Sequence, residues 1–269
     1  MTLHHQLIVN HLSAGYDDKI ILQDININIE AGQITSIIGA NACGKSTLLR
    51  TMSRLMSPSQ GQVLLDGKSI HSTPSRQLAQ TLGLLPQSPI APEGITVGDL
   101  VSRGRHPHHG FISRWNKADD NAIAKALETT KTTELMDREI DELSGGQRQR
   151  VWIAMALAQE TSILLLDEPT TFLDVAHQME VLDLLIDLNQ QQGTTIVLVL
   201  HDLNLAARYS DQLIAMKQGQ IHAYGTPTNV ITEGIIQSVF GLHNQVILDP
   251  LSGHPMVLPI GRHKITKNT

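Results

Sequence analysis

The octapeptide Gly39-Ala40-Asn41-Ala42-Cys43-Gly44-Lys45-Ser46 fits the pattern G-x-x-x-x-G-K-[ST] and constrains the fold more than any other stretch of the chain. Ile34 to Ile38 ahead of it reads as a buried strand, and Thr47-Leu48-Leu49-Arg50-Thr51-Met52 behind it reads as the start of a helix. A strand that turns through glycines into a helix lets consecutive backbone N–H groups curl around phosphate oxygens. The helix N-terminus adds its partial positive charge at the same place. In a loop running from Gly39 to Thr47, Lys45 reaches the outer phosphates and the Ser46 hydroxyl ligates magnesium. The stretch predicts a nucleoside triphosphate site at a strand–helix junction.

The rest of the chain supplies the α/β context such a junction needs. Apolar runs at Leu82–Leu85, Ile163–Leu166 and Thr195–Leu200 read as strands buried on both faces, as in a parallel sheet, with helical patterns between them. Leu7–Leu12, Asp24–Glu30 and Gly61–Gly67 read instead as strands of an antiparallel layer beside that core; the first two alternate with period two. From 88 to 160 the character changes to a helical insert without a convincing strand. Thr96-Val97-Gly98-Asp99 opens it as a capping box, and Asp119 to Thr130 carries helical spacing. A short tail covers about 226–269. There Asp249-Pro250-Leu251-Ser252-Gly253 makes a turn between two strands, after a hairpin turn at Lys217-Gln218-Gly219-Gln220. The expected fold class is α/β, one domain over 1–269.

Composition narrows the setting. With 269 residues, 41% of them hydrophobic, the chain can bury a full core. A net charge of -6 gives no basic field for nucleic acid. One cysteine, Cys43, rules out an internal disulfide. Met1-Thr2-Leu3-His4-His5-Gln6 lacks the basic and apolar regions of a secretory signal, and no apolar run approaches the roughly 20 residues that span a bilayer. Any membrane role then requires a partner.

Two further stretches specify the chemistry. Leu143-Ser144-Gly145-Gly146-Gln147 stands just before a helix, and Ile163-Leu164-Leu165-Leu166-Asp167-Glu168-Pro169 follows about fifteen residues later. In order and spacing, along nearly the whole chain, the three motifs resemble the ATP-binding subunits of ABC transporters. The resemblance implies a P-loop NTPase core of the RecA-like kind with an antiparallel β layer and a helical signature subdomain. It also implies ATP and magnesium as ligands, and ATP hydrolysis as the activity.

Phosphoryl transfer to water needs a phosphate cradle, a metal, a group orienting the attacking water and charge stabilisation. Asp167, at the polar end of an apolar strand, is placed to hold magnesium, and Glu168 to polarise the water; the resemblance makes Glu168 the general base. His201 also ends a strand, and the resemblance assigns it to the γ-phosphate. Gln87, after Leu84-Leu85-Pro86, is placed to touch the metal or the attacking water, and the resemblance assigns it to the hinge that couples nucleotide state to the transporter. Tyr16 either stacks on adenine, the favoured reading, or is an edge-strand aromatic. Cys43, at a helix N-terminus, is expected to be a reactive thiol that ATP protects from maleimide. His106, His108 and His109, in a predicted solvated loop over 103–110, lack the further ligands of a metal site.

Ser144, Gly145 and Gly146 form a second anion site at a helix N-terminus, although Gly39–Thr47 already serves the phosphates. The resemblance resolves the surplus: two copies stack head to tail, the signature Leu143–Gln147 of one closes over ATP held by the other, and Asp174 lies at the shared interface. Within the family the chain is most similar to subunits that power bacterial import of ferric siderophores. That similarity is carried by Thr96–His108, Trp115, Thr170-Thr171-Phe172-Leu173-Asp174, His201-Asp202-Leu203-Asn204 and Asp249-Pro250. It implies membrane permease subunits docked near 87–110, a periplasmic substrate-binding protein, and a place on the cytoplasmic face of the inner membrane. Haem, cobalamin or other small-solute import stays open, as does a non-transport ABC ATPase.

Overall fold

Alternation of apolar residues draws β1 (Leu7–Tyr16) and β2 (Lys19–Ile29) into an antiparallel pair whose inner face buries Leu7, Val9, Leu12, Leu22, Ile25 and Ile27. A register shift between Val9 and Leu12, where His11 takes φ 48°, moves the alternation by one residue and keeps both halves facing inward. The computed structural model describes residues 5–17, 19–109 and 115–261. Met1–His4 of the N-terminal reading, Gly110 of the histidine segment and the last eight residues of the tail, 262–269, lie outside them.

After β3 (Ile34–Gly39) and α1 (Lys45–Met52), the chain returns to the antiparallel layer through β4 (Gln60–Leu65) and β5 (Lys68–Ser69), in the order β2-β1-β4-β5. It then runs through α2 (Ser75–Thr81) and β6 (Leu82–Leu85) into the helical part: α3 (Val97–Ser102), α4 (Lys117–Thr129) and α5 (Gly145–Ala158). The path back is β7 (Ile163–Leu166), α6 (Val175–Gln192), β8 (Thr195–Val199), α7 (Leu203–Tyr209), β9 (Gln212–Lys217) and β10 (Gln220–Gly225). Two short helices, α8 (Pro227–Val230) and α9 (Glu233–Phe240), precede the terminal hairpin of β11 (Asn244–Leu248) and β12 (Pro255–Pro259).

The core sheet runs β10-β9-β3-β8-β7-β6, parallel except for the edge strand β10. Its side chains alternate between two apolar layers. Leu164, Leu166, Ile196 and Leu198 face the layer shared with α3–α6, whereas Ile163, Leu165, Val197 and Val199 face the one shared with α1 and the antiparallel strands. Both faces are therefore covered, which is why these strands carry continuous apolar runs. Among the described residues no helix is long and apolar enough to cross a membrane.

The helical part departs from expectation in three places. Thr96 caps α3 by accepting from the Asp99 N–H at 3.2 Å, one half of the expected box; complete boxes stand at Asn116–Asp119 and Ser144–Gln147. α4 begins at Lys117, because Asn116 caps it. The histidine segment is not a solvated loop: residues 103–108 form a 3-10 turn that bridges three elements. Arg105, 4% exposed, donates to Asp119 Oδ1 (3.0 Å), to the Ala158 carbonyl (2.8 Å) and to Glu160 Oε2 (2.7 Å). His108 Nε2 is 2.8 Å from the Gln159 carbonyl, His109 stacks on Trp115, and Arg76 of α2 donates to the carbonyls of Pro107 and His108. Burial of a charged side chain requires such satisfaction, and α4 and the end of α5 supply it for Arg105. Among the described residues no group of three His, Cys, Asp or Glu is arranged to hold a metal.

Candidate functional site

Parallel pairing sets the site. Leu85 of β6 is level with Leu166 of β7, Leu166 with Leu198 of β8, and Ile37 of β3 with Val199. The residues that follow these ends, Gln87, Asp167, Glu168 and His201, thus emerge along one edge together with the loop after Gly39. Ligands of open parallel sheets bind at that carboxyl edge. A cleft of about 540 Å³ opens there, lined by Tyr16, Lys19, Ile21, Asn41, Ala42, Gly44–Thr47, Gln87, Glu168 and His201.

The loop geometry explains its glycines. Gly44 has φ 108° and precedes α1, and a side chain there would meet Leu22 at 2.8 Å. A Cβ at Gly39 would lie 2.5 Å from the Met216 carbonyl oxygen. Ala40, Asn41 and Ala42 are exposed, while Lys45 and Thr47 are buried. Lys45 Nζ folds back to donate to the carbonyls of Gly39 (2.8 Å) and Ala40 (3.1 Å).

Cys43 corrects an expectation. It is 6% exposed, its sulfur lies under Gly39, and burial pushes its thiol above the ordinary range despite the nearby Lys45 ammonium. Desolvation of a thiolate outweighs the helix N-terminus here, so Cys43 is a packing residue and not a reactive thiol.

Ser46 Oγ donates to Asp167 Oδ1 at 3.1 Å. Asp167 is 4% exposed, and burial raises its carboxyl above the usual range; the Ser46 bond, Arg50 and Lys45 oppose this and Glu168 adds to it. A hydroxyl and one buried carboxylate converging at a phosphate loop fit a hard cation held chiefly by phosphates and water.

Glu168 takes φ 54°, a costly backbone for a non-glycine residue, and its side chain is 10% exposed. Its carboxylate is held on both oxygens. Gln87 Nε2 (2.5 Å) and Thr171 Oγ1 (3.0 Å) donate to Oε2, and His201 Nε2 stands 2.6 Å from Oε1. At the mouth of the cleft the half-exposed Tyr16 accepts a bond from Arg50 Nη1 at 3.1 Å.

The signature residues and Asp174 do not line this cleft. Leu143 is buried; Ser144 Oγ accepts from the Gln147 N–H, and Gln147 Oε1 accepts from the Ser144 N–H. That box satisfies the Ser144 N–H within its own chain, one of the donors of the expected anion site. Asp174 caps α6, accepting from the His177 N–H at 2.9 Å and pairing with its ring at 2.7 Å. Those two bonds hold its carboxyl below the usual range. Phe172 and Val175 beside it are 92% and 74% exposed.

Sequence reasoning gave no role to Thr171, Arg50, Lys19 or Ile21, nor to the Ser144–Gln147 box. The box was signalled by S-x-x-Q before a helix, and Thr171 by its place three residues after Glu168. The contacts of Arg50 and Lys19 depend on β1 and β2 lying over α1, and nothing local announces that.

Comparison with known proteins agrees with this geometry. Residues 22–171 match the model of the ABC transporter family. The chain is 53% identical over 251 residues to the "Probable siderophore transport system ATP-binding protein" of Bacillus subtilis, covering 93% of this chain and 91% of that protein. It is 50% identical over 251 residues to the ferric enterobactin transport ATP-binding protein of Escherichia coli, with 93% of each chain covered. A dimeric bacterial ABC transporter cassette superposes with a TM-score of 0.73 at 27% identity, covering 82% of this chain and 98% of that one.

Proposed function

The chain belongs to the ABC transporter ATP-binding family, and from that premise we propose that it is the ATPase subunit driving uptake of a ferric siderophore through a bacterial inner-membrane permease. The ATPase reading rests on one observation above all: Glu168 is held by Gln87, Thr171 and His201 beside a phosphate loop. The cargo rests on relatives named for siderophore and ferric enterobactin transport.

In this reading Lys45 exchanges two loop carbonyls for phosphate oxygens, and the loop N–H groups take the rest of the charge. Ser46 and Asp167 would hold magnesium, with Gln87 beside it, and the ion would supply charge neutralisation at the phosphates. Glu168 accepts the proton of the attacking water, and His201, already paired with it, turns a ring N–H to the γ-phosphate. Tyr16 stacks on adenine.

The signature and Asp174 have no role at the cleft of their own chain, and the exposed apolar pair Phe172 and Val175 flanks Asp174. A second copy packed head to tail gives both a use: each signature closes over the partner's ATP, and Asp174 lies at the contact. Closure swings the helical part against permease helices near 87–110, on the cytoplasmic face of the membrane, and a periplasmic binding protein delivers the chelate.

The test is labelled-iron uptake from a panel of ferric chelates in cells carrying Lys45→Ala. Loss of uptake of one chelate supports the proposal and names the cargo. Normal uptake of every chelate, with the variant shown inactive, refutes siderophore import and leaves haem, cobalamin or another solute.

A further inference from the structure

We infer that His177 is a positioning residue that ties the Asp174 segment to the signature helix, so that the two elements one protomer offers its partner move as one piece. The inference rests on the head-to-tail dimer proposed above. His177 stands in the first turn of α6, and its Nδ1 and backbone N–H both meet Asp174 Oδ1, at 2.7 and 2.9 Å. The other side of the ring faces α5. A Cβ placed on Gly146 would lie 2.8 Å from His177 Cδ2, 3.1 Å from Cγ and 3.2 Å from Nε2. The imidazole therefore fills the space that a side chain at 146 would take.

The two signature glycines differ in this respect. Gly146 is buried and Gly145 is exposed; Gly146 lies in α5, and neither is among the residues with positive φ, so no special dihedral demands glycine at either position. A Cβ at Gly145 would meet nothing within 4 Å, whereas one at Gly146 would strike the His177 ring. Gly145 leaves the outward face clear for an approaching phosphate, and Gly146 admits the ring that links α5 to the cap of α6. One turn further on, Arg150 Nη1 donates to Glu180 Oε2 at 2.7 Å, and Val151, Val181 and Leu182 are buried below. The helices thus stay packed without His177, and only the attitude of their exposed first turns depends on it.

The experiment uses the full chain carrying Glu168→Gln, with ATP-driven dimerisation followed by sedimentation. ATP binding to the monomer at high dilution and the melting temperature serve as controls. Adding His177→Ala should weaken dimerisation about three- to tenfold, the range expected for one exposed charge-assisted bond and its packing. Monomer ATP affinity should change less than about twofold. Asp174→Ala should have a similar effect, and the double variant should be no worse than the poorer single one, because both remove one link. Unchanged dimerisation in His177→Ala, or losses that multiply in the double variant, would overturn the assignment of His177 alone. So would a fall in melting temperature or monomer binding that accounts for the whole effect. A Glu168→Gln parent that stays monomeric with ATP would refute the dimer itself and this inference with it.

Discussion

Replacing Glu168 by glutamine separates proton acceptance from the other contacts of the carboxylate. Gln87 Nε2 and Thr171 Oγ1 both donate to Oε2, so an amide oxygen placed there keeps both bonds. The amide NH2 then faces His201 Nε2, which in its unprotonated form accepts from it. Shape, volume and the φ of 54° are unchanged, so folding stability should move by less than about 1 kcal/mol. What disappears is the capacity to take a proton from water. General-base catalysis contributes about 10²- to 10⁴-fold, or roughly 3–5.5 kcal/mol on the barrier. The expected result is a kcat for phosphate release at least about 100-fold below the parent, with ATP affinity held within about threefold. Phosphate release and equilibrium ATP binding, measured on the same preparations, give both numbers. A kcat within about tenfold of the parent would refute the general-base role. An equally large loss of ATP binding would refute the premise that the amide preserves the contacts.

Three more outcomes follow from particular contacts. Because burial raises the Cys43 thiol, maleimide at pH 7.5 should label it at less than about a tenth of the rate of a free cysteine, speeding up on denaturation; free-cysteine rates in the folded chain would contradict the packing. Tyr16→Phe should raise the Kd for ATP less than about threefold and Tyr16→Ala about tenfold or more, since the ring carries the stacking and the hydroxyl only its bond from Arg50; equal losses would argue against stacking. Arg105→Met should cost up to about 3–5 kcal/mol near neutral pH by taking the guanidinium away from the buried Asp119, which keeps only the Asn116 N–H and His109. Burial alone would lift the Asp119 carboxyl, but Arg105, the Asn116 backbone and His109 hold it below 3.8, so its contribution is present above that value and lost as pH falls through its own pKa. The stability gap between parent and variant, from denaturant melts, should therefore narrow below about pH 4; a gap independent of pH would show the cost to be packing alone.

The motifs were legible because each is local. Gly39–Ser46 encodes a strand, a turn and a helix start within a few residues, and Ile163–Glu168 encodes a buried strand with a polar end. His106 is exposed, as a solvated segment implies, but His108 and His109 are not free, because their partners, Gln159 for the first and Asp119 and Trp115 for the second, lie outside that segment. For Cys43 the local signal pointed the wrong way. The helix start it precedes lowers a thiol pKa, but the covering Gly39 backbone and the surrounding apolar residues come from the tertiary fold.

By itself, then, the sequence determined the phosphate loop, the apolar strands, the signature and the family they imply, because periodicity and short spacings act over one element at a time. Tertiary structure decided what those residues do to one another. Parallel register brings Gln87, Glu168 and His201 together although they are 81 and 33 positions apart along the chain. It decides that Thr171 shares an oxygen with Gln87, and that a ring from α6 fills the space beside one signature glycine and leaves the other open. Hydrogen bonds and burial depend on distances of a few ångströms between remote segments, and those distances exist only once the sheet has formed.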